Sequence, residues 1–271
     1  MKIDRHIALK MNLITLTTDF GPGEYVATMK GVIHSIAEDA RILDISHTVQ
    51  PQDIEQGAYV LYSSLQYFKE GIHIGVVDPR VGTERKGIIV ECENHFLVGP
   101  DNGLLIPAAR KLGMKRIFEI KNPKYMLESI SSTFHGRDVF APVAAHLCLG
   151  VEPEKIGEVL EEWVDMNFGI YSARGKELRG RILHVDSFGN LITNIPEKML
   201  LKKYGFEQMM EIRTAGKRVS APFLATYSEV GEKEILATVS SSGFLEIAAN
   251  QGSAASKLGT KRGNEIQLSP A

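Results

Sequence analysis

Cysteine is scarce. Cys92 and Cys148 are the only two in 271 residues, and they lie far apart at no metal-ligand spacing. Two thiols in a chain this long read as buried and reduced, which points to the cytoplasm rather than to a disulfide-stapled secreted domain. Long apolar runs are also missing. None approaches the ~18–20 residues of a membrane span, and the opening MKIDRHIALKM lacks the apolar stretch and small-residue cleavage site of a signal peptide. Residues 1–10 read as an extension, or a mis-assigned start, ahead of Met11. Nor does charge of one sign prevail: 31 Lys+Arg against 33 Asp+Glu leave a formal charge of −2. No run of Lys or Arg exceeds two residues. A polybasic nucleic-acid surface is therefore excluded, and neither nucleic acid nor membrane is expected as a partner.

Several chemical signatures are absent. There is no Walker A loop, complete GxGxxG, HExxH or GxSxG. Asp19-Phe20-Gly21 and His135-Gly136-Arg137-Asp138 echo kinase motifs but stand in reversed order, without the Gly-rich loop or downstream Asn. The eight His never fall at ligand spacing, so no metal site is expected. No internal repeat or low-complexity tract occurs.

What is present is a rhythm. A hydrophobic fraction of 44% is enough for two domains, each with its own core. Leu13–Thr18 is a short β-branched run, and Tyr25, Val26, Met29, Val32, Ile33 and Ile36 then recur at helical spacing. Ile42–Ile45 predicts a second strand, Asp53–Phe68 a helix capped by Asp53, and Ile72–Val77 a third strand ending at Asp78-Pro79. Gly87–Cys92 and His95–Val98 read as a hairpin, and Arg137–Leu149 as a helix. This βαβ alternation predicts a mostly parallel sheet. After about Glu162 short strands dominate: Arg179–Val185, Leu191–Ile195, Ile235–Val239, Phe244–Ala248 and Glu265–Leu268, with one helical stretch near Pro196–Tyr204. The expected architecture is an α/β domain over 12–170 and a smaller β-barrel over 178–271, with the polar stretch Ser172–Leu178 as linker.

In an open parallel sheet, ligands bind beyond the carboxyl ends of the strands. Asp19 follows the first strand and Asp78 the third, so both belong to one edge. Each alone is equally well a turn residue; two at the same edge favour a site. The loop 131–138 carries His135, which titrates near neutrality, although Ser132 or Thr133 there also suits a helix cap. The loop from Asp186 to Asn190 is a tight hairpin that does not itself require Asp186 or Phe188. Ser240–Gly243, ahead of Phe244–Asn250, reads equally as a plain turn and strand. The residues alone stop at an α/β enzyme with a carboxylate-lined site.

Six motifs in order carry a resemblance: Thr17-Thr18-Asp19-Phe20-Gly21, Val77-Asp78-Pro79-x-Val81-Gly82-Thr83, Pro100-Asp101-Asn102-Gly103, Ser132-Thr133-Phe134-His135-Gly136-Arg137-Asp138, Asp186-x-Phe188-Gly189-Asn190 and Glu246-Ile247-Ala248-x-Asn250. From about Leu13 onward the chain resembles the S-adenosylmethionine hydrolases (hydroxide adenosyltransferases), relatives of the fluorinases and chlorinases. The resemblance implies an N-terminal α/β domain, a C-terminal β-barrel and a homotrimer, with substrate held between the N-terminal domain of one subunit and the C-terminal domain of its neighbour. It implies that Asp19 holds the ribose hydroxyls, Phe134 flanks the reacting carbon, and Asp186 and Asn190 grip the methionine end. Phe188 would pack on the adenine, and Ser241 and Asn250 would read its edge. Asp78, Arg85 and His135 would form the catalytic set. One departure stands out: Arg80 occupies a place where the hydrolases usually have Gly, which requires a negative φ or a shifted loop.

The implied reaction suits these residues. The sulfonium leaves as a neutral thioether, so neither cofactor nor metal is needed. Hydroxide is scarce because bulk water has a pKa near 15.7; Asp78, Arg85 and His135 would position and polarise one water for in-line attack at the ribose 5′ carbon. The products would be adenosine and L-methionine. Two other readings are a halogenase, disfavoured because a carboxylate beside the nucleophile repels an anion, and a non-catalytic adenosine or S-adenosylmethionine sensor. A sensor would need Asp19 and Asn190 but not the set Asp78, Arg85 and His135, whose joint presence favours catalysis.

Overall fold

In the computed structural model, which describes residues 11–271, the run Leu13–Thr18 forms strand β1. Helix α1 (Glu24–Ile36) follows, burying Val26, Met29 and Ile33 on one face. Next come β2 (Arg41–Ser46), α2 (Ile54–Ser64) and β3 (Gly71–Val76). Asp53 caps α2 by accepting from the Gln56 amide at 2.9 Å. The hairpin β4 (Gly87–Glu91) and β5 (His95–Pro100) leads to α3 (Ile106–Lys111), β6 (Arg116–Glu119), α4 (Ala141–Cys148) and α5 (Pro153–Ile156). The strand order is β2-β1-β3-β5-β4-β6, with β2, β1, β3 and β5 mutually parallel and β4 reversed. Alternation decides which face each side chain takes. Ile14, Leu16, Ile72 and Ile74 enter the core shared with α1 and α4. Gly75, on the other face, leaves room for Leu61 of α2 and for Leu104 and Leu105; a Cβ there would come within 3.0–3.3 Å of them. This first compact unit ends at Asn167.

The second unit, Phe168–Ala271, is all but closed on itself. Its strands are β7 (Ser172–Arg174), β8 (Glu177–Val185), β9 (Leu191–Pro196), β10 (Met209–Thr214), β11 (Lys217–Pro222), β12 (Ile235–Val239), β13 (Phe244–Ala249) and β14 (Glu265–Pro270). Short helices α6 (Glu197–Lys203) and α7 (Ala254–Leu258) sit between them. The antiparallel order is β11-β10-β14-β8-β9-β13-β12, and a bridge from Phe223 to Ala237 brings the two ends together. Leu178, Leu191, Ile212, Phe223, Leu245 and Leu268 fill its centre. The segment Ser172–Leu178 is not a linker: β7 pairs with the start of β8 across Gly175, and its polarity reflects an exposed hairpin. The expectation about residues 1–10 lies outside the described residues. Among the described residues, no helix is long and apolar enough to cross a membrane.

Candidate active site

Because β1 and β3 are parallel neighbours in register, with Thr18 opposite Val76, Asp19 and Asp78 leave the sheet at one edge. Asp78 and Arg85 are nearly buried, with side chains 5% and 6% exposed. Arg85 Nε donates to both Asp78 oxygens, at 3.1 and 3.0 Å, and Nη2 donates to Oδ2. The same Nη2 lies 2.8 Å from His135 Nδ1. A guanidinium N–H only donates, so Nδ1 is an acceptor and a neutral ring carries its proton on Nε2. Burial holds the His135 pKa below its usual value, Arg85 pushes the same way, and Asp78 and Asp138 oppose them. The result is a neutral imidazole presenting an N–H beside a carboxylate neutralised by arginine.

Two loops are pressed together to make this cluster. Gly82, at φ 76°, approaches the loop bearing His135 so closely that a Cβ would lie 2.2 Å from the Ser132 carbonyl oxygen. Arg80 keeps a negative φ and is exposed; the positive φ in this turn falls on Gly82, so Arg80 sits here without left-handed strain. The buried Asp138 accepts from the Ser131 amide at 2.8 Å and from Arg137 Nε at 2.6 Å, fixing the loop from behind. Residues Gly136–Phe140 form a π-helical turn, an irregularity that often marks functional sites. Phe134 meets Phe20 and Tyr25 edge to face, with ring centres 5.6 and 5.2 Å apart, and those two rings lie tilted to each other at 5.9 Å. Asp19 Oδ2 accepts from the Gln52 amide at 2.7 Å, and its Oδ1 has no partner among the described residues.

Sequence reasoning assigned no role to Asn102, although it quoted the motif. Its Nδ2 donates to the Val77 carbonyl at 2.9 Å and its Oδ1 accepts from Leu104 N–H at 3.1 Å, bracing the backbone just before Asp78. The Asp-Asn-Gly turn signal was the available clue.

In the second unit, a cavity of about 530 Å³ is lined by Asp186, Phe188, Asn190, Tyr227, Asn250 and Gln251. Asp186 organises its own hairpin: Oδ1 accepts from the Phe188 and Asn190 amides at 2.9 Å each, and Oδ2 from Asn190 Nδ2 at 3.0 Å. Phe188 is 76% exposed, an unusual position for a phenyl ring and one suited to stacking on a ligand. Asn250 Nδ2 donates to the Val230 carbonyl at 2.8 Å. The structure thus gathers four of the residues predicted here. It places Ser241 elsewhere, in the β12–β13 turn, with the whole of β13 between it and Asn250. Tyr227 and Glu246 were not anticipated as a pair. The Tyr227 hydroxyl donates to the buried Glu246 at 2.7 Å, and burial raises the Glu246 pKa against that bond, with Asp186 adding to the rise. Among the described residues, no three His, Cys, Asp or Glu side chains gather as metal ligands would.

Comparison with known proteins gives a consistent result. The SAM hydroxide adenosyltransferase N-terminal domain model matches residues 14–157 and the corresponding C-terminal domain model matches residues 180–267. A (R)-S-adenosyl-L-methionine hydrolase of Methanocaldococcus jannaschii is 40% identical over 267 residues, covering 95% of this chain and 96% of that protein. A protein of the same name from Thermus thermophilus is 36% identical, covering 95% and 100%. A fluorinase of Nocardia brasiliensis is 27% identical, covering 94% and 96%. The crystal structure of a conserved protein from Thermotoga maritima superposes with a TM-score of 0.90 at 36% identity, covering 94% of this chain and 99% of that one. The chain belongs to the SAM hydroxide adenosyltransferase family.

Proposed function

We propose that the protein hydrolyses S-adenosylmethionine to adenosine and L-methionine. The observation that carries this reading is the buried Asp78–Arg85–His135 cluster at the sheet edge, in a chain whose relatives at 40% and 36% identity are named as hydrolases of that substrate. One water proton is lost to solvent to give a bound hydroxide, whose oxygen bonds to the ribose 5′ carbon as the carbon–sulfur bond breaks, and sulfur keeps the electron pair. A positive sulfonium and a hydroxide become two neutral molecules, so a desolvated pocket favours the transition state. His135 Nε2–H is the donor that orients the nucleophilic oxygen. Arg85 supplies the positive charge that favours hydroxide over water, and it keeps Asp78 aligned. Asp19 takes the ribose hydroxyls and Phe134 flanks the reacting carbon. Asp186 and Asn190 serve the methionine end, Phe188 the adenine face and Asn250 its edge; Ser241, at the far end of β13 from Asn250, is left out of this set.

The same reading includes a homotrimer with substrate between the N-terminal domain of one subunit and the C-terminal domain of the next. It also includes a cytoplasmic location and no cofactor or metal, since the sulfonium needs no Lewis acid. A halogenase is the weaker alternative. Arg85 neutralises Asp78, which softens the charge argument against an anion, but the fluorinase relative is the more distant at 27% identity. Incubating pure protein with S-adenosylmethionine in halide-free buffer tests the proposal. Adenosine and methionine in equal amounts support it. Tight binding without turnover, or product only when halide is added, refutes it.

A further inference from the structure

The turn that carries Asp19 is gripped by one histidine that the reaction does not use. Thr18, the last residue of β1, is fully buried, and its Oγ1 lies 2.9 Å from His47 Nδ1. That oxygen also accepts from the Phe20 amide at 3.2 Å. The His47 carbonyl accepts from the Gly21 amide at 2.8 Å. His47 Nε2 lies 3.1 Å from Asp44 Oδ1, within ion-pairing distance although off the line of a well-aligned hydrogen bond. Asp44 Oδ2 takes Lys30 Nζ of α1 at 2.6 Å. Burial raises the Asp44 pKa, but Lys30 and His47 outweigh it and hold the carboxyl below its ordinary value. Proton counting gives the chain a direction. The Thr18 hydroxyl can accept twice and donate once, so the Phe20 amide does not fix the direction; the Asp44 carboxylate does, because it favours the ring proton on Nε2 and leaves Nδ1 to accept from the threonine hydroxyl.

We propose that His47 is a positioning residue for substrate binding, which sets the turn 18–21 so that Asp19 Oδ1 meets the ribose hydroxyls. This rests on the reading of Asp19 as the ribose acceptor. The loop that begins at His47 also supplies the Gln52 amide that holds Asp19 Oδ2 at 2.7 Å. One segment therefore clamps the turn before, at and after the carboxylate. The same turn places Phe20 against Phe134, with ring centres 5.6 Å apart.

Calorimetry with adenosine and with 2′,3′-dideoxyadenosine tests the inference on folded full-length protein. His47→Ala and the near-isosteric Thr18→Val should each weaken adenosine about tenfold, the cost of misaligning one hydrogen-bonded acceptor. They should leave dideoxyadenosine within about twofold, and Thr18→Ser, which keeps the hydroxyl, should bind both as the wild type does. With S-adenosylmethionine, KM should rise more than kcat falls. Equal weakening of both nucleosides in His47→Ala and Thr18→Val, or no weakening of either, overturns the proposal. An Asp19→Ala arm separates the two claims. If Asp19→Ala is selective for adenosine and His47→Ala is not, the clamp falls and the ribose assignment stands. If Asp19→Ala itself weakens both ligands alike, the ribose assignment falls and takes the clamp with it.

Discussion

His135 accepts a hydrogen bond from Arg85, and this single contact decides what the residue can do. A ring whose Nδ1 is occupied by a guanidinium and whose proton sits on Nε2 orients an oxygen; it does not remove a proton from one. Protonating Nδ1 would set an imidazolium against Arg85. Burial and Arg85 hold the His135 pKa below the usual 6.5, so the neutral working form persists at that pH and is lost only below it. The ratio of kcat/KM in wild type to that in His135→Ala should therefore stay constant from neutrality down to pH 6.5, any slope from hydroxide formation being common to both, and shrink only in more acidic buffer. A ratio that already shrinks above pH 6.5 would contradict this. Substitution separates chemistry from binding. Asp78→Asn keeps the shape and removes the charge that fixes Arg85, while His135→Ala removes the orienting donor. Each should lower kcat by roughly 10²–10³, the usual cost of losing one preorganised donor or charge, with affinity for S-adenosylmethionine by calorimetry little changed. Asp19→Ala should do the opposite and weaken binding first. Asp78→Asn should also ease halide entry while hydrolysis drops, read as 5′-halogenated product.

At the scale of elements, the strongest sequence signals were those in which local preference and tertiary demand agree. Leu13–Thr18 and Ile235–Val239 are strands with the bounds their β-branched runs imply. The β10–β11 hairpin escaped notice because its turn is Ala215-Gly216, and Ala at φ 49° is not a residue that announces a primed turn. The pairing of Arg85 with His135, 50 positions apart, was accessible only through family resemblance, and the link from His47 to Thr18 had no periodic or motif signature at all. Gly82 shows what a motif glycine is for. Gly82→Ala must move the loop carrying His135, at a cost of about 1–3 kcal/mol for a strained φ. It should lower kcat at least tenfold while circular dichroism stays native; an alanine variant with wild-type kcat would show that the loop contact is dispensable. On the other face of the same sheet, His73 is fully buried between Thr15 Oγ1 at 2.8 Å and His95 Nδ1 at 3.0 Å, packed on Phe68. Burial, reinforced by the nearby His95, lowers its pKa from 6.5 to about 3. Between those values the unfolded chain binds a proton that the folded one does not, so stability falls as the pH drops below 6.5. Melting at pH 5 should come at a lower temperature than at pH 7; an unchanged midpoint would argue against a neutral buried pair.

For the whole molecule, the division of labour between two compact units is the feature with most consequence. The first holds Asp19, Asp78, Arg85 and His135, and the second holds the cavity of Asp186, Phe188, Asn190 and Asn250. If three copies share their sites, light scattering should give about three times the 29.9 kDa of one chain. A fully active monomer would exclude the shared site. Dialysis against EDTA should leave the rate unchanged, and a loss restored by zinc or magnesium would count against metal-free chemistry. The central claim, that an oriented water attacks the ribose 5′ carbon, has a direct test in reaction in ¹⁸O-labelled water. The label should appear in the 5′ hydroxyl of adenosine and not in methionine, and Asp78→Asn should slow its incorporation in step with kcat. Adenosine formed without the label, or label carried into methionine, would contradict the account.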